Sequence, residues 1–171
     1  MTNNKPNRSD LLKKLFSEIS FEVTQTIEII RNEGDNEYIA PLTQLFLQSK
    51  DNEVKKEIEK LFAELKEQSS VDFLIMEITK PQNKNALKFL VASCWLNGLN
   101  FSGNFATFVQ IMANEPFEIA FEAYTLIDNS FDNISSMEAR QLVDLLENTT
   151  IIDKNIALLS ENLIAQLRDV E

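Results

Sequence analysis

Closely spaced carboxylates are the part of this sequence best suited to chemistry. Glu115, Glu118 and Glu122 are separated by three and four residues, so they project from the same side of a helix. Carboxylates in this arrangement bind a hard cation or transfer protons when a neighbouring helix brings further carboxylates to them. Without such a neighbour, carboxylates stay in water. We therefore interpret these residues as a solvated or partner-binding acidic strip, with cation binding and acid–base catalysis as the alternatives.

Phenylalanine is concentrated in the same part of the chain. Six of the 12 phenylalanines lie between Phe101 and Phe131. Large apolar residues at helical spacing indicate, in the first place, packing between neighbouring helices. The alternative is an apolar groove with an acidic edge, which would accept a basic amphipathic helix. The residues predicted to bind such a partner are Glu115, Glu118, Glu122, Asp128 and Asp132.

The residue types on which most enzymes depend are scarce. The chain has no histidine and a single cysteine, Cys94, which excludes histidine-assisted nucleophiles and cysteine-rich zinc or iron–sulfur sites. The three glycines, Gly34, Gly98 and Gly103, are too far apart for a phosphate-binding loop. Cys94 lies among leucines and valines and is predicted to be a buried apolar residue. We predict no catalytic residue, no metal site and no cofactor, and we do not expect an enzyme.

The charge of the chain is negative and unevenly distributed. The net charge is −11, and residues 86–171 carry 4 Lys and Arg residues against 12 Asp and Glu residues. No Lys or Arg lies between Lys88 and Arg140, so this half of the chain would repel a phosphate backbone or an anionic membrane. The predicted partner is a basic protein or peptide, and neither nucleic acid nor membrane is expected.

Signals for export are missing from the pattern. The polar N-terminus and the lack of a long apolar run predict neither a signal peptide nor a membrane span. A single cysteine is typical of a reducing compartment. The predicted location is therefore the cytoplasm.

Apolar residues recur at helical spacing along the chain. In residues 34–66 two apolar stripes follow each other, and Asp51 or Asn52 between them is suited to cap the second helix. The first stripe consists of Ile39, Leu42, Leu45 and Phe46, and the second of Val54, Ile58, Leu61, Phe62 and Leu65. Leu42 and Leu74 are 32 residues apart, as are Ile58 and Leu90. This common spacing indicates that the helix pair recurs.

The segment Gly34–Lys66 resembles the HEAT family of helical repeats, and the chain as a whole resembles HEAT and armadillo arrays. The matching features are a proline in the first helix, an Asp at the turn and a Val followed by Lys in the second helix. These residues are Pro41, Asp51, Val54 and Lys55. The resemblance implies an all-α right-handed α-α superhelix (α-solenoid) of about five helix pairs. It also implies a protein–protein interaction or scaffold module.

The predicted organisation is a disordered lead at residues 1–8 followed by a single repeat domain at residues 9–171. Ser9 is the predicted cap of the first helix, and a break near Ser20 separates that helix from the second. The approximate helix pairs are 9–33, 35–66, 70–97, 101–130 and 135–170.

The helix that follows Pro116 is predicted to be mostly buried. Pro116 suits the first position of a helix, with Asn114 or Glu115 as the cap. Apolar residues cover most of the circumference of this helix, and Glu118, Glu122 and Thr125 form a narrow polar strip.

The predicted function is non-catalytic binding of a basic protein segment at an acidic, Phe-rich surface. One alternative is a cation-binding or catalytic helical domain, which requires carboxylates from at least two helices to converge in a closed pocket. A second alternative is a homo-oligomeric structural protein that buries its Phe-rich face against another copy.

Overall fold

The computed structural model describes residues 7–170. Within this range the chain contains ten α-helices, four short 3₁₀ helices and no β-strand, which confirms the predicted all-α class. The α-helices are α1 Arg8–Leu15, α2 Ser20–Glu33, α3 Ile39–Gln48, α4 Asn52–Ala63, α5 Ser70–Ile78, α6 Leu87–Leu96, α7 Phe105–Asn114, α8 Phe117–Asp128, α9 Ser136–Glu147 and α10 Lys154–Arg168. The 3₁₀ helices are Asn36–Tyr38, Pro81–Ala86, Ser102–Asn104 and Phe131–Asn133.

Two compact units divide the chain, Met1–Ala86 and Leu87–Glu171. Helices α1 to α5 belong to the first unit, and α6 to α10 belong to the second. The two helices of the predicted pair 70–97 are therefore in different units. The single repeat domain over residues 9–171 stays a prediction.

The first helix begins earlier than predicted. Helix α1 starts at Arg8, and the Asn7 side chain accepts a hydrogen bond from the Ser9 backbone N–H at 3.0 Å. The prediction that Ser9 caps this helix is wrong, because Asn7 takes that role and Ser9 lies inside the helix. Of the predicted lead, residues 1–6 lie outside the described residues. The predicted break before Ser20 is confirmed, since α2 starts there.

In the first unit, α2 packs against α1 and α4, and α3 packs against α4, α5 and the 3₁₀ helix Pro81–Ala86. The apolar stripes predicted for α3 and α4 supply this core, and Leu42 and Ile58 are fully buried. Phe46, at the edge of the stripe of α3, is only partly buried, and the Lys55 ammonium lies 5.0 Å from the centre of its ring. Most residues of the two predicted stripes are thus buried, and α3 contacts α4.

The start of α4 is fixed by Asp51, one of the two predicted caps. Its carboxylate accepts a hydrogen bond from the Glu53 backbone N–H at 2.8 Å, which satisfies one of the free amides of the first turn. Pro41 is the third residue of α3, a first-turn position where its missing N–H removes no intrahelical hydrogen bond. Pro41 therefore does not interrupt α3.

Arg31 connects α2 to α4 through carboxylates. Its guanidinium donates to the Glu57 carbonyl at 3.2 Å and to the Glu57 carboxylate at 2.8 Å. It also forms ion pairs with Glu28 and, at 3.2 Å, with Glu64. The hydrogen bond from Arg31 holds the pKa of Glu57 below its usual value. Because the Arg31 side chain is largely buried, these contacts contribute more than an exposed ion pair would.

In the second unit, α8 packs against α6, α7 and α10, and α9 packs against α7 and α10. Phenylalanines of the predicted cluster form part of this core. Phe101 and Phe108 are fully buried, and their rings meet edge to face with centroids 5.8 Å apart, a favourable aromatic geometry. Cys94 is also fully buried, as predicted, and burial raises the pKa of its thiol.

The start of α8 differs from the prediction. Helix α8 begins at Phe117, and Pro116 occupies the cap position, where its carbonyl accepts from the Ile119 and Ala120 backbone N–H groups at 2.8 and 3.0 Å. Neither Asn114 nor Glu115 caps the helix, because Asn114 is the last residue of α7 and Glu115 is the C-terminal cap of α7, one residue before Pro116. The predicted first helical position of Pro116 is thus wrong by one residue.

The prediction that α8 is mostly buried is also wrong. Its inner face is formed by Ala120, Ala123, Leu126 and Ile127, which are all buried. On the opposite side Phe117 remains 43% exposed and Phe121 45% exposed. The reason is that α6, α7 and α10 cover only part of the circumference, so an apolar residue outside that part has no neighbour.

Candidate functional site

Three aromatic side chains form a stripe along the exposed face of α8. Phe117, Phe121 and Tyr124 follow the i, i+4, i+7 spacing that places residues on one helix face. The rings of Phe117 and Phe121 stack with centroids 6.0 Å apart and planes inclined by 29°. The rings of Phe121 and Tyr124 are 5.8 Å apart and inclined by 22°. We call these three residues the aromatic stripe.

Hydrogen bonds to α10 hold the C-terminal end of the aromatic stripe. The Tyr124 hydroxyl donates to the Asn162 side-chain oxygen at 3.0 Å, and the Gln166 amide donates to Asp128 at 3.0 Å. Burial, followed by the nearby negative charge of Asp128, raises the pKa of Tyr124. Tyr124 therefore stays a neutral hydroxyl at physiological pH, with its ring fixed beside Phe121.

Two carboxylates lie along the side of α8 that faces α6. Glu118 forms an ion pair with Lys88 at 3.2 Å, and both side chains are exposed. Glu122 accepts a hydrogen bond from the indole N–H of Trp95 at 2.8 Å. Because Lys88 and Trp95 both belong to α6, these contacts connect Glu118 and Glu122 of α8 to α6 within the same unit.

The structure brings together only part of the predicted binding set. Glu118 and Glu122 are one turn apart on the α6 side of the aromatic stripe, whereas Asp128 lies at its C-terminal end beside α10. Glu115 directly follows α7 and is partly buried, and Asp132 is exposed in the 3₁₀ helix after α8. The five residues thus follow the length of α8 instead of meeting at one point.

A hollow of about 590 Å³ opens beside the N-terminal end of α8. Its walls are the end of α7 with the turn to α8, and the first turn of α10 with the loop before it. The apolar lining residues are Ala113, Pro116, Phe117, Ile152 and Ile156, and the polar ones are Asn114, Glu115, Asp153, Lys154 and Asn155. Sequence reasoning missed this hollow because its two walls are about 40 residues apart in the chain and no local pattern connects them.

The sequence also did not reveal which aromatic residues are exposed. The spacing of Phe117, Phe121 and Tyr124 is visible in the sequence, but a buried stripe has the same spacing. The partners of the two α8 carboxylates, Lys88 and Trp95, lie 30 and 27 residues upstream. The predicted recurrence of helix pairs implies that a helix packs against the helix about 30 residues earlier. This recurrence is the signal that could have identified Lys88 and Trp95 as partners.

Two further properties concern metal and membrane binding. Within residues 7–170, no three His, Cys, Asp or Glu side chains come close enough together to hold a metal ion. None of the helices in this described part of the chain is long and apolar enough to cross a membrane.

Comparisons with known proteins add little to this geometry. No protein-family model and no curated protein matches the chain. It is similar to the crystal structure of an engineered protein from the Northeast Structural Genomics Consortium, with 15% identity over 92% of this chain and 78% of that chain and a TM-score of 0.44. A similarity of this size does not establish a shared fold.

Proposed function

We propose that the chain is a protein-interaction module that binds a basic protein segment along α8. The observation that carries this proposal is the aromatic stripe, in which Phe117 and Phe121 are nearly half exposed although they stack in an ordered row. Exposed aromatic rows with a polar edge are typical of interaction sites, since aromatic anchors dominate binding energy.

The contacts within each unit support a solenoid arrangement. In the second unit, α8 packs against both α6 and α10, and α7 packs against α9, so that alternate helices are neighbours. In the first unit the same relation joins α2 to α4 and α3 to α5. Alternate-helix contacts of this kind are what stacked helix pairs produce. We infer a HEAT-like or armadillo-like solenoid, in which the second helices of the pairs form the binding layer.

Charge favours a basic partner. The acidic edge of the aromatic stripe consists of Glu118 and Glu122 on one side and Asp128 at one end. Residues 86–171 carry 12 acidic residues against 4 basic ones. A basic segment would gain attraction from this field, whereas an acidic segment would be repelled.

The role that we propose for these carboxylates is electrostatic and not catalytic. Glu118 is paired with Lys88 and Glu122 with Trp95, and neither carboxylate lines the hollow beside α8. In a binding surface the carboxylates need only attract the partner through their charge. Catalysis requires a carboxylate within hydrogen-bond distance of a bound substrate.

The test is a binding titration with a fluorescently labelled synthetic peptide that forms a basic amphipathic helix. Replacing Phe121 by Ser removes the central ring of the aromatic stripe. Its exposed part is worth on the order of 1 kcal/mol when covered, so we expect affinity to fall by at least about five-fold.

The matched control is Phe16→Ser, because Phe16 is 40% exposed but belongs to the first unit. This variant should bind the peptide as the unchanged chain does. Equal losses in both variants, or no loss for Phe121→Ser, would contradict the proposal. Sedimentation equilibrium on the same proteins identifies self-association, since a mass above the monomer that Phe121→Ser abolishes would assign the stripe to a second copy.

A further inference from the structure

The hollow beside Pro116 is continuous with the aromatic stripe. Phe117 both lines the hollow and stacks on Phe121. An apolar path therefore runs from Ile152, across Phe117 and Phe121, to Tyr124. The stripe alone covers seven residues of helix rise, roughly 10 Å, and the hollow extends the path beyond Phe117.

Ile152 is the most exposed large apolar residue of the described chain, at 90%. It lies in the loop before α10, and that loop is held by the next residue. The Asp153 carboxylate accepts from the backbone N–H groups of Asn155 and Ile156 at 2.8 and 3.1 Å. Capping by Asp153 thus fixes the end of the loop on the first turn of α10, and Ile152 directly precedes this fixed point.

The rim of the hollow has a net negative charge. Glu115 and Asp153 line it together with a single cation, Lys154. This negative rim would therefore attract a lysine or arginine that flanks an apolar side chain bound in the hollow.

We propose that the hollow receives a terminal aliphatic side chain of the basic amphipathic helix that binds along α8. This inference rests on the proposed function and specifies the partner further. The partner carries apolar residues at i, i+4 and i+7 against the aromatic stripe and one more apolar residue a turn beyond them, against Ile152 and Phe117. Lysines or arginines flank this additional residue.

Three synthetic peptides test the proposal with the full chain. The parent peptide has roughly 18 residues, enough for about five helical turns, with leucines at i, i+4 and i+7 and lysines on the polar face. The second peptide carries one additional leucine a turn before this stripe, and the third carries it a turn after. Both are needed because the partner helix can lie along α8 in either direction. Binding is measured by fluorescence anisotropy.

The expected result is that one extended peptide binds roughly ten-fold more tightly than the parent, which corresponds to burial of one leucine side chain. Ile152→Ser should abolish this difference between the extended peptide and the parent. Met137→Ser is the matched control, since Met137 is 70% exposed on α9 and does not line the hollow. It should leave the ten-fold difference intact.

The outcomes separate the two proposals. If the peptides bind and depend on Phe121, but neither extension improves affinity or Ile152→Ser preserves the improvement, the role of the hollow is wrong and the α8 surface stands. If no peptide binds, or if binding is indifferent to Phe121, the proposed function fails and the inference about the hollow fails with it.

Discussion

Arg31 shows how one residue can connect two helices of the first unit. It lies near the end of α2 and reaches Glu57 and Glu64, which belong to α4 and to its C-terminal cap. A guanidinium suits this position because its planar fork can contact several oxygens at once. Without it, carboxylates on both helices would lose their counter-charge while staying close to one another.

We expect Arg31→Met to lower the free energy of unfolding by about 1 to 3 kcal/mol, because the partly buried Glu57 loses the charged donor that Arg31 supplies. Urea unfolding followed by circular dichroism measures this change. Arg140→Met is the control, since Arg140 is an exposed arginine of α9. A loss for Arg31→Met no larger than for the control would show that the Arg31 contacts contribute nothing.

Residue-level predictions from the sequence succeeded where the signal was local. Asp51 as a cap and Cys94 as a buried apolar residue were both predicted correctly, since each depends on neighbours within a few positions. The cap of α8 was predicted incorrectly. Pro116 and Glu115 are both compatible with a helix start, and the choice between them depends on how α7 ends.

At the scale of elements, α9 has the most complete local signal for its start. The Ser135 backbone N–H donates to Glu138 at 2.8 Å, and the Glu138 backbone N–H donates back to the Ser135 hydroxyl at 3.3 Å. This reciprocal pair is a capping box, which satisfies two backbone donors at once. The Ser135 backbone N–H, followed by its hydroxyl, holds the pKa of Glu138 below its usual value.

This capping box predicts a pH dependence. Since the folded pKa of Glu138 is lowered, its contribution to stability is complete above the unfolded pKa of about 4.3 and is lost as pH falls through the folded value. Glu138→Gln should therefore reduce the acid-induced loss of stability. Urea unfolding across this pH range measures the effect.

The control for this experiment is Glu161→Gln, which removes the same charge from an exposed position of α10. If both variants reduce the loss of stability at acidic pH equally, the capping box is not the cause of that loss.

Helix α8 marks the limit of element-level prediction. Its sequence indicates apolar residues around most of the circumference, and a helix of this kind is usually buried. The structure places small residues, Ala120 and Ala123, against its neighbours and leaves Phe117 and Phe121 outside. The periodicity of one helix cannot show which of its apolar residues are exposed, because it does not determine how many helices pack against it.

At the scale of the whole molecule, charge determines the proposed partner. The excess of acidic residues is concentrated in residues 86–171. Attraction between this surface and a basic segment is screened by salt, since the Debye length falls from about 10 Å at 0.1 M to about 3 Å at 1 M.

We expect the affinity for the basic peptide to fall steadily as salt is raised. Glu118→Gln should make this dependence shallower because it removes one attractive charge, whereas Phe121→Ser should weaken binding equally at all salt concentrations. Anisotropy titrations at several salt concentrations measure both slopes. An affinity that is independent of salt would refute the electrostatic part of the proposal and leave only apolar contact.

Periodicity and composition were sufficient to predict the all-α class and most helix positions. These properties depend on spacings of three to eight residues, where side chains contact their own helix or the next one. The acidic residues around α8 were equally visible, because charge is a property of the residue itself.

Only the tertiary structure decided which face of α8 stays open, that Glu118 pairs with Lys88 and Glu122 with Trp95, and that a hollow forms beside Ile152. Each of these features joins segments about 30 to 40 residues apart. Their geometry depends on how α6, α7 and α10 pack around α8, and the same local pattern is compatible with either a buried or an exposed aromatic row. Long-range packing therefore determines where a partner can bind.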